Sequence, residues 1–140
     1  MGDKMTKERA VTLSLPIFRK VQDLCSLMID VQRDMQKQYK HSVGERMLDE
    51  SLSLMKSIFA INRAEKTSSE RLTLMDGFVD GFEYLKSWVR IAEEKRVITI
   101  KQQSSIAVLM ESINAQMTGW RRSTESLVCQ DSKDADRSEP

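Results

Sequence analysis

Met75-Asp76-Gly77-Phe78-Val79-Asp80-Gly81-Phe82-Glu83-Tyr84-Leu85-Lys86-Ser87-Trp88-Val89-Arg90-Ile91-Ala92 is the stretch whose reading decides the fold. Within it, Met75, Phe78, Phe82, Leu85, Val89 and Ala92 recur at alternating spacings of three and four, which lines them along one face of an α-helix. A stripe of that width buries itself against other helices. Just upstream, Thr67-Ser68-Ser69-Glu70 reads as a capping box, in which the hydroxyl and the carboxylate each satisfy an orphan amide. The pattern closes near Lys95-Arg96, where positive charge complements a helix C-terminus.

The same spacing recurs on either side. Ser14-Leu15-Pro16 predicts a helix start, with Ser14 as cap and a proline that has no amide to lose. Ile17, Val21, Leu24, Met28, Val31 and Met35 follow as a seam, in a helix expected to reach about Lys40. Ser42-Val43-Gly44-Glu45 predicts a second capping box, and Leu48, Leu52, Met55 and Phe59 an apolar face running to Ile61 or Asn62. Thr99-Ile100-Lys101-Gln102 predicts a third, opening a last helix with Ile106, Leu109, Ile113, Met117 and Trp120 inward. Three short linkers favour antiparallel neighbours, so the expected fold is all-α, an up-down four-helix bundle over residues 14–123. Residues 1–13 are expected as a mobile arm, with Val11, Leu13 and the adjoining Leu15 able to dock on a neighbour. Residues 124–140, without a sustained apolar period, are expected as a disordered acidic tail.

Length and composition narrow the function. A chain of 140 residues suits one domain with one core. No apolar run approaches the roughly 20 residues of a membrane span, and Met1-Gly2-Asp3-Lys4 lacks the apolar region of a secretory signal. Cys25 and Cys129 form neither a disulfide framework nor a zinc spacing and fit a reducing cytoplasm. A di-iron bundle needs Glu-x-x-His pairs, yet His41 is the only histidine and Gln38 stands three residues before it. Phosphate-binding glycine loops are missing too. These observations predict a protein that is not an enzyme, with no cofactor and no metal.

Net charge is +1, but it is unevenly spread. Residues 124–140 hold five acids and two bases, −3, which leaves +4 on residues 1–123. From Tyr84 to Ser123 stand Lys86, Arg90, Lys95, Arg96, Lys101, Arg121 and Arg122 against Glu93, Glu94 and Glu111. Such a surplus attracts phosphate, although scattered lysines on helix surfaces are the ordinary case. Lys86 and Arg90, four residues apart, share a helix face flanking Trp88. They are the leading nucleic-acid-binding candidates, with Arg121 and Arg122 as an extension; the plain alternative is a solvated face paired with Glu83 or Glu93. The third helix also carries a second stripe, Leu74, Gly81 and Trp88 at seven-residue spacing. A wide core face explains it simply, while an oligomer interface explains it together with Gly77 and Gly81, which cost about 1 kcal/mol each in a helix interior.

Several of these segments together resemble a known family. The helix opening Leu15-Pro16-Ile17, then His41-Ser42-Val43-Gly44-Glu45-Arg46-Met47, then Leu85-Lys86-Ser87-Trp88-Val89-Arg90-Ile91-Ala92 resemble the Avd-like bacterial four-helix bundles in the same order. Ile98-Thr99-Ile100-Lys101-Gln102-Gln103 and Met117-Thr118-Gly119-Trp120 followed by Ser123 resemble the family's fourth helix and its close. The resemblance covers roughly residues 15–123. It implies an accessory variability determinant of a diversity-generating retroelement: a barrel-shaped homopentamer that binds the element's reverse transcriptase and nucleic acid (template RNA and cDNA), supporting mutagenic retrohoming without chemistry of its own. Lys86 and Arg90 fall where the family carries basic residues on its third helix. Related proteins encoded by intervening sequences of large-subunit ribosomal RNA genes are the alternative, but they open the second helix differently from Ser42-Val43-Gly44-Glu45-Arg46. A structural bundle that makes protein contacts and ignores nucleic acid is the remaining reading.

Overall fold

A computed structural model describes Lys7 and residues 11–138 of the chain. Four long helices carry it: α1 (Pro16–Asp34), α2 (Glu45–Arg63), α3 (Ser69–Glu94) and α4 (Ile100–Ser138). Each packs on its neighbour in sequence and α4 closes on α1, so the helices run up, down, up, down around one core. Among the described residues there is no strand. The seams expected in α1 and α3 are buried throughout, from Ile17 to Met35 and from Met75 to Ala92. In α4, Ile106, Ile113 and Met117 are buried as expected, whereas Leu109 and Trp120 are half-buried against the core and Met110 is inside.

Two starts are as expected or nearly so. Thr99 and Gln102 form the reciprocal box that opens α4: the Gln102 amide donates to Thr99 Oγ1 at 3.1 Å and the Thr99 amide to Gln102 Oε1 at 2.9 Å. At α3 the cap is Ser68 rather than Thr67. Its hydroxyl accepts from the Arg71 amide at 3.3 Å and donates to the Glu65 carbonyl at 2.9 Å. The α3 end is a Schellman turn, with the Val97 amide on the Ala92 carbonyl at 2.9 Å and the Arg96 amide on the Glu93 carbonyl at 3.1 Å. It places Arg96 at φ 56°, where glycine is the usual residue.

The α1–α2 corner departs from expectation. Helix α1 stops at Asp34, and Met35 and Gln36 are extended. The chain then re-enters a helical turn at Lys37–Tyr39, passes through a π-helical turn at Lys40–Gly44, and runs into α2 without a break. No capping box forms at Ser42, because the backbone there is already helical; its hydroxyl points back to the Gln38 and Tyr39 carbonyls. Gln32 reaches across to donate to the Lys40 carbonyl at 2.8 Å. Ser14 likewise caps nothing: residues 11–14 are helical and its hydroxyl donates to the Val11 carbonyl at 2.7 Å. A Cβ at position 44 would lie 2.7 Å from Met35 Sδ and 3.0 Å from Gln32 Cγ, so the packed Met35 side chain would have to shift to admit it.

The face of α2 is corrected by one residue. Met47, Ser51, Leu54, Ile58 and Ile61 are buried, while Leu48, Met55 and Phe59 are half-buried and Leu52 is exposed. Ser51 hides in the buried stripe because its hydroxyl donates to the Met47 carbonyl at 2.7 Å, so no polar atom is orphaned. Helix α4 continues to Ser138, into the stretch expected as an acidic tail. No glycine or proline interrupts residues 125–138, and Arg121–Glu125 and Gln130–Asp134 contacts at i,i+4 support the extra turns. At about 1.5 Å per residue the 39 residues of α4 span roughly 58 Å, twice the length of α1. Of the expected arm, residues 1–6 and 8–10 lie outside the described residues. Thr12 is buried and accepts from Asn62 Nδ2 at 2.8 Å, Leu15 packs on the core, and Val11 and Leu13 stay half exposed.

Two predictions follow from this packing. Gly77→Ala and Gly119→Ala, where a Cβ meets nothing within 4 Å, are each expected to stabilise the protein by about 0.5–1 kcal/mol, whereas Gly44→Ala is expected to destabilise it; thermal melts of the three variants check the contrast. Burial pushes the Cys25 thiol up to about 11, so near neutral pH it stays protonated and inert, while Cys129 is exposed. A thiol-specific chromogenic reagent is expected to react with Cys129 alone until denaturant is added.

Candidate nucleic-acid interface

Helices α3 and α4 form the most loosely packed of the four seams, and a groove of about 320 Å³ opens along it. Its floor is Phe82, Val89, Ile106 and Met110, all buried core residues whose edges reach the groove. Lys86 and Arg90 stand on its α3 wall, with Glu93 and Glu111 also lining it. One turn of helix therefore brings both expected cations to the same groove. Lys86 Nζ lies 3.4 Å from Glu83 Oε1 and 5.9 Å from the centre of the Phe82 ring. Both ends of the Lys86–Glu83 pair are about half exposed, so the pair is weak and open to exchange. Arg90 is exposed and makes no ion pair among the described residues.

The groove continues toward the far end of α4 through Asn114, which also lines a second depression of about 270 Å³ with Val79, Met117, Thr118, Arg121, Arg122 and Glu125. Arg122 is exposed, but Arg121 is engaged: its Nε donates to Asp76 Oδ1 at 2.8 Å and its Nη1 to Glu125 Oε1 at 2.9 Å. Its hydrogen bonds to the Asp76 and Glu125 carboxylates hold its guanidinium pKa above the ordinary value. Asp76 is 45 residues away in sequence, so spacing along one helix gives no hint of this contact.

Leu74, Gly81 and Trp88 lie on the side of α3 that faces α2. Leu74 and Trp88 are half-buried against the core of their own chain, and a Cβ on Gly81 would sit 3.3 Å from Leu54 Cδ2. Close approach of α2 thus gives Gly81 a reason within the protomer. The Trp88 indole Nε1 is buried without a hydrogen-bond partner, and Tyr84 packs edge-on to its ring at 6.4 Å.

Arg71 is a charged residue that the sequence reading passed over. It is 4% exposed, lies 5.1 Å over the Trp120 ring, and donates from Nη2 to Asn62 Oδ1 at 3.4 Å, while its Nε has no partner. Burial lowers its pKa from the ordinary value. No carboxylate neutralises it among the described residues, so its place rests on packing and the Trp120 face. Arg71→Met is accordingly expected to keep or raise stability, and Arg71→Ala to lower it by about 2 kcal/mol; urea titrations of the two variants separate packing from charge.

Among the described residues, no group of three or more His, Cys, Asp or Glu gathers to hold a metal ion, and no helix is long and apolar enough to cross a membrane. Residues 15–124 match the model of a family described as bAvd-like, a span that holds α1, α2, α3 and the packed part of α4. No curated protein matches the chain.

Proposed function

Because the chain belongs to the bAvd-like family, we propose that it is the accessory variability determinant of a diversity-generating retroelement, a non-catalytic cytoplasmic protein that binds the element's reverse transcriptase and its template RNA or cDNA. In this reading the protein assembles as a homopentamer, with Leu74, Gly81 and Trp88 on the subunit boundary. Nucleic acid lies along the α3–α4 groove, held by Lys86 and Arg90 and further along by Arg121 and Arg122. The observation that carries the reading is the family match across the packed parts of all four helices. The common groove of Lys86 and Arg90 supports its nucleic-acid component, because repeated copies of two modest cations add up on a polyanion.

A second reading draws on a specific observation. Net charge is only +1, and Lys86 and Arg121 both have carboxylate neighbours, which favours a bundle that contacts protein and leaves nucleic acid alone. One titration decides between them. Binding to single-stranded RNA, followed by anisotropy across a salt series, is expected to weaken steeply with salt as counterions are released. Lys86→Ala with Arg90→Ala is expected to weaken it by roughly tenfold and to flatten the salt slope by about 1.4, at about 0.7 per lost phosphate contact. Both side chains are exposed, so the helical signal of the variant should not change. Salt-independent behaviour, or a double variant identical to the parent, would give the protein-contact reading the field. Light scattering checks the assembly: a mass of 16.1 kDa, one chain, removes the pentamer.

A further inference from the structure

Among the described residues, Arg121 is the one cation of the α3–α4 face whose guanidinium is taken on two sides, by Asp76 from α3 and by Glu125 from the start of the α4 extension. The three side chains are 33%, 56% and 55% exposed, so this is a surface clamp that water and solutes reach, and such pairs open readily. Charge-assisted bonds from a guanidinium to two anionic oxygens are also how arginine binds a phosphate group. Beside the clamp, the depression lined by Asn114, Thr118 and Arg122 offers further polar groups, and Asn114 joins it to the groove of Lys86 and Arg90.

From this geometry we propose that Asp76 and Glu125 form an autoinhibitory clamp, an internal stand-in for phosphate that withholds Arg121 from nucleic acid until a backbone phosphate displaces it. The inference rests on the nucleic-acid reading above and adds to it how that face is regulated. Glu125 makes the extension part of the device. The first acid of the helical overhang sits on the basic face, and the remaining acids, Asp131, Asp134 and Asp136, stand exposed beyond it on the same helix. Two carboxylates hold Arg121, so the full contact forms only with a ligand that brings several phosphates at once.

Single-stranded RNA is titrated in a salt series against four full-length proteins: the parent, Asp76→Asn with Glu125→Gln, that double variant with Arg121→Gln added, and Asp131→Asn with Asp134→Asn. The last removes the same charge without touching the clamp. Release of Arg121 is expected to tighten binding roughly threefold and to steepen the salt slope by about 0.7, because its phosphate contact is no longer offset by the carboxylates it sets free in the parent. Adding Arg121→Gln is expected to return the slope to the parent value, and the Asp131 and Asp134 control to leave it there. A clamp variant with an unchanged slope, or with no more gain than the control, overturns the inference while leaving the nucleic-acid reading in place. If neither the parent nor the clamp variant binds RNA, the nucleic-acid reading itself fails and the clamp with it.

Discussion

Burial of one apolar stripe from each of four helices in a common core is the constraint that the rest of the structure obeys. Hydrophobic burial of this kind is non-directional and scales with area, so by itself it does not choose an arrangement. Direction comes from connections of five residues between α2 and α3 and between α3 and α4, too short for anything but antiparallel neighbours. With the core satisfied, the protein has little left to spend on polar machinery inside. Ser51 and Thr124, buried, turn their hydroxyls onto carbonyls one helical turn back. Thr12 is met by Asn62 Nδ2 from α2, and Arg71 is the charged case, a guanidinium beside an indole ring and a single amide oxygen.

The candidate interface follows from how unevenly that core is shared. Helix α3 meets α2 closely, aided by the missing side chain at Gly81 against Leu54. Helix α4 sits further from α3, and the gap leaves edges of Phe82, Val89 and Met110 at the floor of a groove whose rim carries Lys86 and Arg90. The α3 half of the apolar floor and the cationic rim belong to one helix because residues 82, 85 and 89 are buried while 86 and 90 line the gap. Close packing on one flank and open packing on the other are thus two results of the same α3 sequence.

Much of the fold is legible in the sequence, and what is not has identifiable causes. The α1 and α3 seams read cleanly because each helix has a single dominant stripe, and the Thr99 box reads cleanly because its residues have no competing partner. In α2 two stripes lie side by side, and the more apolar of them, Leu48, Leu52, Met55 and Phe59, is not the one inside; Ser51 disguises the buried stripe because its hydroxyl is satisfied locally. The helical course of residues 126–138 is hidden by their polarity, since helix propensity and i,i+4 pairs leave little trace in an apolar pattern. For the site, the adjacency of Lys86 and Arg90 is visible from a spacing of four. The engagement of Arg121 is not, because Asp76 reaches it from another helix, and contacts made across the fold have no local signature.

The π-helical turn at Lys40–Gly44 has a consequence for how this chain tolerates change in length. Helices advance by about 100° per residue, and a π-turn takes about one residue more than an α-turn to cover the same arc. The extra residue is absorbed where it stands, so α2 keeps Met47, Ser51, Leu54, Ile58 and Ile61 inward. Shortening the turn by one residue would wind it into an ordinary α-turn and leave that register nearly unchanged. The same deletion at Glu45 or Arg46 would instead carry Leu48, Leu52, Met55, Phe59 and Asn62 toward the core, with a polar amide in the place of Ile61. The turn is therefore where this helix tolerates a change of length with least disturbance to the interior.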